Sequence, residues 1–230
     1  MSQQKYLNLG SGKRILPADP DPSDWLIDPA IFHYALWHNV DKVDLPGVDE
    51  CVDLFTYPWP WEDNSFDGAL LSHLVEHVPH EVDVDYAGDA SMRLKEQYIN
   101  IQDGWYAFFS ELTRVLTPGA IAHIIHPYAW SAGAASDPTH TRLITEHTWS
   151  HQLSKADVND QFAYATGDCN LEMVEPPKLW ITQPFYGLLN DPSQPYIQQG
   201  GHNWSERIVY ALQTNINVCY ALYIKMRAIK

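Results

Sequence analysis

Three cysteines in 230 residues, Cys51, Cys169 and Cys219, are too few and too scattered for a disulfide framework or a cysteine-rich zinc knuckle. A reducing cytosol is the expected compartment. Basic residues are also scarce, 14 Lys and Arg against 29 Asp and Glu, which leaves a formal net charge of −15. Such a surface repels a phosphate backbone, so nucleic acid is disfavoured as a partner and a small neutral or cationic molecule is easier to accommodate. No uninterrupted apolar run approaches the roughly eighteen residues that a membrane-spanning helix needs. The opening MSQQKYLNLGSGKR lacks the long apolar stretch of a secretory signal. The expectation is a soluble, unexported, cytoplasmic protein with no membrane partner. Internal repeats and low-complexity tracts are absent from the sequence as well.

What is present is an apolar content of 45%, enough to bury a sizeable core in one domain spanning residues 1–230. Short apolar runs alternate with longer helix-patterned stretches, as in an α/β sheet. KYLNLGSG reads as a strand halted by two glycines, and the proline-rich ILPADPDPSDWLIDPAIF that follows cannot form one regular helix. HNVDKVD, ECVDLF and FDGALLSH are further strand candidates, and HLVEHVPHEV starts a helix that Pro79 interrupts. Polar residues 80–95 read as an inserted loop or lid. From about Glu96 to Leu116, Trp105, Phe108, Phe109, Leu112, Val115 and Leu116 recur at spacings of three and four, which predicts a helix stopped by TPG at 117–119. AIAHIIHP is a buried strand, TEHTWSHQL a short helix, and NINVCYALYIKMRAIK the last strand. Residues 134–204, rich in Pro, Trp, His and Gln, form an elaboration expected to serve the substrate region.

Two glycines straight after a strand, Gly10 and Gly12 in LNLGSGKR, let backbone approach a ligand without obstruction, although an ordinary tight turn uses the same letters. The dinucleotide fingerprint needs glycine where Ile15 stands, and no G-K-[ST] completes a phosphate loop. Asp41, about thirty residues on at the end of the second strand candidate, can accept hydrogen bonds from a ribose diol. Asp53, ending the third, can accept from an exocyclic amine. Taken singly these are strand-end carboxylates, and taken in this order they describe an adenosine pocket.

The succession LNLGSGKR, NVDKVDLPGVDECVDLFTYPWPWEDNSFDGALLSHLVEHV, FFSELTRVLTPGAIAHIIHP and DPTHTR resembles class I S-adenosylmethionine-dependent methyltransferases, in particular the small-molecule and sugar-type group. The resemblance covers residues 5–142, with the last strand near 216–229 also in place. It implies a Rossmann-like, mostly parallel seven-stranded sheet flanked by helices, with an irregular first crossover and an elaborated C-terminal region. It further implies S-adenosylmethionine as cofactor and transfer of its methyl group to a small-molecule, sugar or protein acceptor. Asn8, Gly10, Ser11 and Gly12 would pass beneath the cofactor's amino-acid portion, Asp41 would hold the ribose, and Asp53 with the Leu54 amide would read the adenine. Ser72 and His73 would stand near the sulfonium. Asn8, Arg14 and Ala120 depart from the pattern, where a carboxylate, a third glycine and a second glycine are common. These departures are what a non-catalytic binding scaffold of the same fold would show.

The segment FDGALLSHLVEHV also contains H-x-x-E-H, which admits a zinc hydrolase with His73 and His77 as ligands and Glu76 as general base. That motif belongs on a long helix, whereas here a strand runs to about His73 and Pro79 follows His77, so no metal site is expected. In the methyltransferase reading Glu76 and His77 open the helix after the fourth strand, and His73 faces the reaction centre as base, substrate contact or wall. His140 is the second candidate base, and His126, Asp137, His140 and Arg142 are candidate substrate contacts. Trp59, Trp61, Trp130 and Trp149 either wall an acceptor site or pack the core.

Overall fold

Alternating apolar side chains start the sheet at β1 (Lys5–Leu9), where Leu7 and Leu9 are fully buried. In this computed structural model the described residues are 3–17, 28, 31, 35–83, 101–152, 170–198 and 205–230. The irregular first crossover therefore falls mostly outside the described residues, as does most of the expected lid at 80–95. Next come β2 (Leu36–Asp41), a two-residue β3 (Glu50–Cys51) and β4 (Phe66–Ser72). A single 3-10 turn, Val75–His77, follows β4 where an α-helix was expected. Pro79 cannot extend a helix, and the carbonyls of Glu76, Val78 and Pro79 are taken by residues 141 and 142.

The hairpin β5 (Glu81–Asp83) and β6 (Ile101–Asp103) leads into α1 (Gly104–Val115). The helix begins later than its apolar pattern suggests because Asp103 caps it, its side chain accepting from the Trp105 amide at 2.8 Å. Phe108, Phe109, Leu112 and Val115 are fully buried, each contributing about 1.5–3 kcal/mol of burial. β7 (Leu116–Pro127) starts at once, so TPG lies inside a strand whose pairing with β4 shifts between Phe66 and Gly68. The Leu116 backbone is already extended, and it ends the helix before Pro118 is reached.

The region 134–204, weak in local signals, holds the end of α2 (Ala132–Ser136), all of α3 (Glu146–Gln152), then β8 (Leu171–Met173), β9 (Lys178–Ile181), a 3-10 segment (Gln183–Leu188) and β10 (Tyr196–Gln198). α4 (Glu206–Thr214), capped by Ser205, precedes the long β11 (Cys219–Ala228). The sheet order is β10-β9-β11-β7-β4-β1-β2-β3, with β8 also on β11. β3, β2, β1, β4 and β7 are mutually parallel. β11 runs against β7, and β8 and β9 run against β11. All the described strands of this sheet except β11 and β10 thus share one direction. It is the mostly parallel α/β sheet that was expected, with the three-residue strands β8 and β10 enlarging it at the antiparallel end. Among the described residues no helix is long and apolar enough to cross a membrane.

Strands buried on both faces leave little room at the contacts between their side chains. A Cβ added at Gly68 in β4 would lie 2.2 Å from Cε1 of Tyr6. The Tyr6 ring is itself buried, packed against Trp37 at 5.3 Å between centroids. Gly68→Ala is expected to cost about 3 kcal/mol through overpacking, read as a lower urea midpoint at unchanged slope. An unchanged midpoint would mean the ring has somewhere to go.

Candidate functional site

The carboxyl ends of β1, β2, β3 and β4 meet at a cleft of about 450 Å³ whose lining includes Gly10, Asp41, Asp53, Leu54, His73 and His77. β1 sits between β2 and β4: the chain runs outward from β1 to β2 and β3 and then crosses back to β4 on the other side, which opens a crevice above the end of β1.

The glycine loop is built for close approach. Gly10 and Gly12 hold φ of +64° and +53°, the left-handed region that other residues enter at a cost. A Cβ at Gly10 would come within 3.0 Å of Leu74. Asp41 organises this loop: Oδ2 accepts from the Gly12 amide at 2.8 Å and Oδ1 from the Val43 amide at 3.0 Å. A carboxylate has about four acceptor sites, so both oxygens can still receive a hydroxyl. Ser11 is buried, and its amide donates to Val40.

Asn8 lies beneath the loop. Its amide nitrogen donates to the Arg14 carbonyl at 2.8 Å and to Oδ1 of Asn39 at 2.9 Å, so these donors serve the scaffold. Asn39 also brackets Leu16, accepting from its amide and donating to its carbonyl, both at 2.8 Å, and reaches Asp49 at 3.0 Å. Reading the sequence missed Asn39 and Asp49. The signal was an asparagine in the middle of each of two neighbouring strands, which the register places opposite each other.

On the far wall Oδ1 of Asp53 accepts from the Phe55 amide at 3.0 Å, and the Leu54 carbonyl accepts from Trp59 Nε1 at 3.1 Å. The turn that presents both residues to the cleft is thereby held in place.

Ser72 closes β4 beside the lining residues, and His73 follows with φ +56°. Left-handed backbone at a histidine costs on the order of 1 kcal/mol or more, offset here by the His73 amide donating to Ile125 at 2.8 Å. His73 borders the cleft with its side chain 58% exposed, and its Nδ1 stands 3.3 Å from Oε1 of Glu76. The pair is close enough to interact, although neither buried oxygen of Glu76 makes a well-aligned hydrogen bond. Burial raises the pKa of Glu76, but the imidazole of His73 and the field of His126 outweigh it, so the carboxyl is held below its ordinary range. Glu76 was expected in the first turn of an α-helix, with its carboxylate serving the helix N-terminus. It is instead 2% exposed, because the turn after β4 rolls its side chain inward.

A strap from Asp137 to Arg142 crosses this turn. The amides of Thr141 and Arg142 donate to the Glu76 carbonyl, and the Arg142 guanidinium donates to Val78, Pro79 and Asp103 while lying 5.4 Å above the Trp105 ring. Arg142, expected at the substrate, is thus occupied in holding the strap. Asp137 is exposed and caps Thr139, whose hydroxyl and amide hold its carboxyl below the usual range. His140 is nearly buried beside Glu76, Nε2 to Oε1 at 3.9 Å, and only His73 of the two candidate bases borders the cleft. His126, expected at the substrate, is fully buried with both ring nitrogens engaged, one at the Pro127 carbonyl and one accepting from Trp149 Nε1. Burial pushes its pKa down to about 4. Trp59 and Trp149 are core residues, whereas Trp130 is half exposed and outside the cleft.

No family model matches the sequence, and no curated protein matches it. Solved structures do match in three dimensions. A SAM dependent methyltransferase from Archaeoglobus fulgidus superposes with a TM-score of 0.51 at 13% identity, covering 98% of this chain and 86% of that one. The YcgJ protein from Bacillus subtilis gives 0.49 at 14% identity, covering 99% and 93%. With the sheet order and the glycine loop described above, the chain has a class I methyltransferase fold.

Proposed function

We propose that the cleft binds S-adenosylmethionine and that the protein transfers a methyl group to a small acceptor. One observation carries this reading: the ends of four parallel strands bring Gly10, Asp41, Asp53 and His73 to the same cleft. The fit is chemical as well as spatial. Gly10 leaves room that a Cβ would take, Asp41 presents acceptor oxygens to a ribose diol, and Asp53 with the Leu54 amide suits an adenine edge. S-adenosylmethionine bound there supplies an already activated methyl group. The protein's own work is alignment and exclusion of water. Asp41 holds Gly12 and the ribose together, the Asp53–Phe55 turn orients the base, and Leu74 closes the apolar wall under the loop. His73, held in its unusual backbone conformation, is the side chain offered to the acceptor, either to position it or to take its proton.

Calorimetry with S-adenosylmethionine and S-adenosylhomocysteine tests the reading. Micromolar or tighter binding with a rise in unfolding temperature is expected. No heat and no thermal shift with either compound would overturn it.

A further inference from the structure

H-x-x-E-H does not gather as its spacing suggests, since His73, though its Nδ1 is 3.3 Å from Glu76, stands exposed at the cleft rim outside the group that comes together. The fold supplies another histidine in its place. Glu76, His77 and His140 each offer one ligand atom, and these atoms lie within 4.8 Å of one another. Three further observations indicate what belongs between them.

The first is Glu76 itself. At 2% exposure, neither of its oxygens makes a hydrogen bond, and the one imidazole nearer than His140, that of His73 at 3.3 Å from Oε1, is itself largely exposed. A buried charged group left so is costly unless something positive completes it. The second is the tautomer of His140. Its Nδ1 lies 2.9 Å from the Ala134 carbonyl, which can only accept, so Nδ1 carries a hydrogen and Nε2, on the side of Glu76, is the ring atom left for a ligand bond. The third is the same arrangement at His77. The Thr139 hydroxyl donates to Asp137 at 2.6 Å, and Nδ1 of His77 stands 3.1 Å from that hydroxyl oxygen and 3.3 Å from the Thr139 carbonyl. Nδ1 is therefore the donor, and Nε2 is again the ring atom left for a ligand bond. Metal-ligating histidines are commonly oriented by such a hydrogen bond from the second nitrogen to a carbonyl or hydroxyl. The two rings pack edge to face with centroids 4.7 Å apart.

We propose that Glu76, His77 and His140 bind one divalent first-row transition-metal ion at the edge of the cleft. Two imidazoles and one carboxylate suit zinc, iron, cobalt or nickel and leave coordination positions open. Ligands at about 2.0–2.2 Å from an ion stand roughly 3–3.5 Å apart. The 3.9 Å between His140 Nε2 and Glu76 Oε1 needs only a small side-chain adjustment to close on one. His77 and Thr139 line the cleft, so an ion held by His77 would stand at its edge, within reach of its contents. That selects acceptors with oxygen donors, such as vicinal hydroxyl or carboxylate compounds. This goes beyond the methyl-transfer reading, and the site stands whether or not that reading does.

The test uses tag-free full-length protein, stripped with a chelator, dialysed and titrated with Co²⁺. One equivalent is expected to bind and to give the visible absorption of a histidine-ligated ion. His140→Ala and His77→Ala should each weaken binding at least tenfold and change that spectrum, whereas His147→Ala on α3 should leave both as they are. Glu76→Gln keeps the side chain's shape and should also lose at least tenfold, while its unfolding temperature without metal stays equal or rises because a buried charge is gone. Absence of a stoichiometric Co²⁺ complex would overturn the proposal, as would a spectrum surviving both His140→Ala and Glu76→Gln. S-adenosylhomocysteine calorimetry on the stripped protein separates this result from the fate of the methyl-transfer reading.

Discussion

Between about pH 6 and pH 4.5 the protein should lose stability at roughly 2.7 kcal/mol per pH unit, two protons' worth at about 1.36 kcal/mol each. The cause is a pair of buried histidines on β7. Burial pushes His123 down to about 3, helped by Lys225, and pushes His126 down to about 4. His126 has a second obstacle to protonation, since the nitrogen that would take the proton already accepts from Trp149. In the unfolded chain both titrate near 6.5, so over this window the unfolded state holds two more protons than the native state. Stability is therefore fully present above about pH 6.5 and falls as the pH drops toward 4. The loss across the window, about 4 kcal/mol, approaches the whole stability of a marginally stable domain. Carboxylates held below their ordinary range, such as Glu50 beside His38 and Trp61, add a further loss at still lower pH. Urea unfolding at half-unit pH steps measures the slope, and His126→Gln should halve it. A flat profile through this window would mean that these rings protonate without unfolding the chain.

Asp41→Ala should weaken S-adenosylhomocysteine binding by about 30- to 100-fold. The size comes from two losses that act together. The carboxylate's hydrogen bonds to a ribose diol are each worth about 1.5 kcal/mol or more, because the acceptor is charged. Its bond to the Gly12 amide, 2.8 Å long, holds the glycine loop in its left-handed conformation, and the loop must otherwise be ordered at the moment of binding. Asp41→Asn keeps one good acceptor and should lose less, on the order of tenfold. The unfolding midpoint should move little for either variant, since Asp41 is only partly buried. An unchanged affinity in Asp41→Ala would remove the ribose assignment, and a collapse in stability would show that the loop is part of the folding core.

How far the residues alone reveal the molecule differs from element to element. β1, β4, β7 and β11 were legible because each is an apolar run with a glycine, a proline or a turn at its boundary. The apolar face of α1 was legible too, but its start was not, because Asp103 acts as a cap only once the β5–β6 hairpin delivers it. α4 went unseen although Ser205 and the spacing of Ile208 and Ala211 announce it, since Pro, Trp and Gln around it blur the periodicity. The cleft was legible in part: Gly10, Asp41, Asp53 and His73 were named from strand ends and do share one space. His126 and Arg142 were expected at the substrate, and instead one is packed against Trp149 and the other holds the strap.

What the sequence by itself determined is the order of strands and glycine turn and the acids that follow them, because these depend on side-chain period and on backbone freedom within a few residues. What only the tertiary structure decided is which histidines meet Glu76. His73 and His77 are its neighbours in the chain, but a left-handed residue and a single 3-10 turn leave His73 exposed at the rim, touching Glu76 only through Nδ1 at 3.3 Å. The strap's hydrogen bonds to the Glu76 and Val78 carbonyls bring His140 in from more than sixty residues away. Proximity across such a distance is set by packing and backbone hydrogen bonds between segments, and no local spacing encodes it.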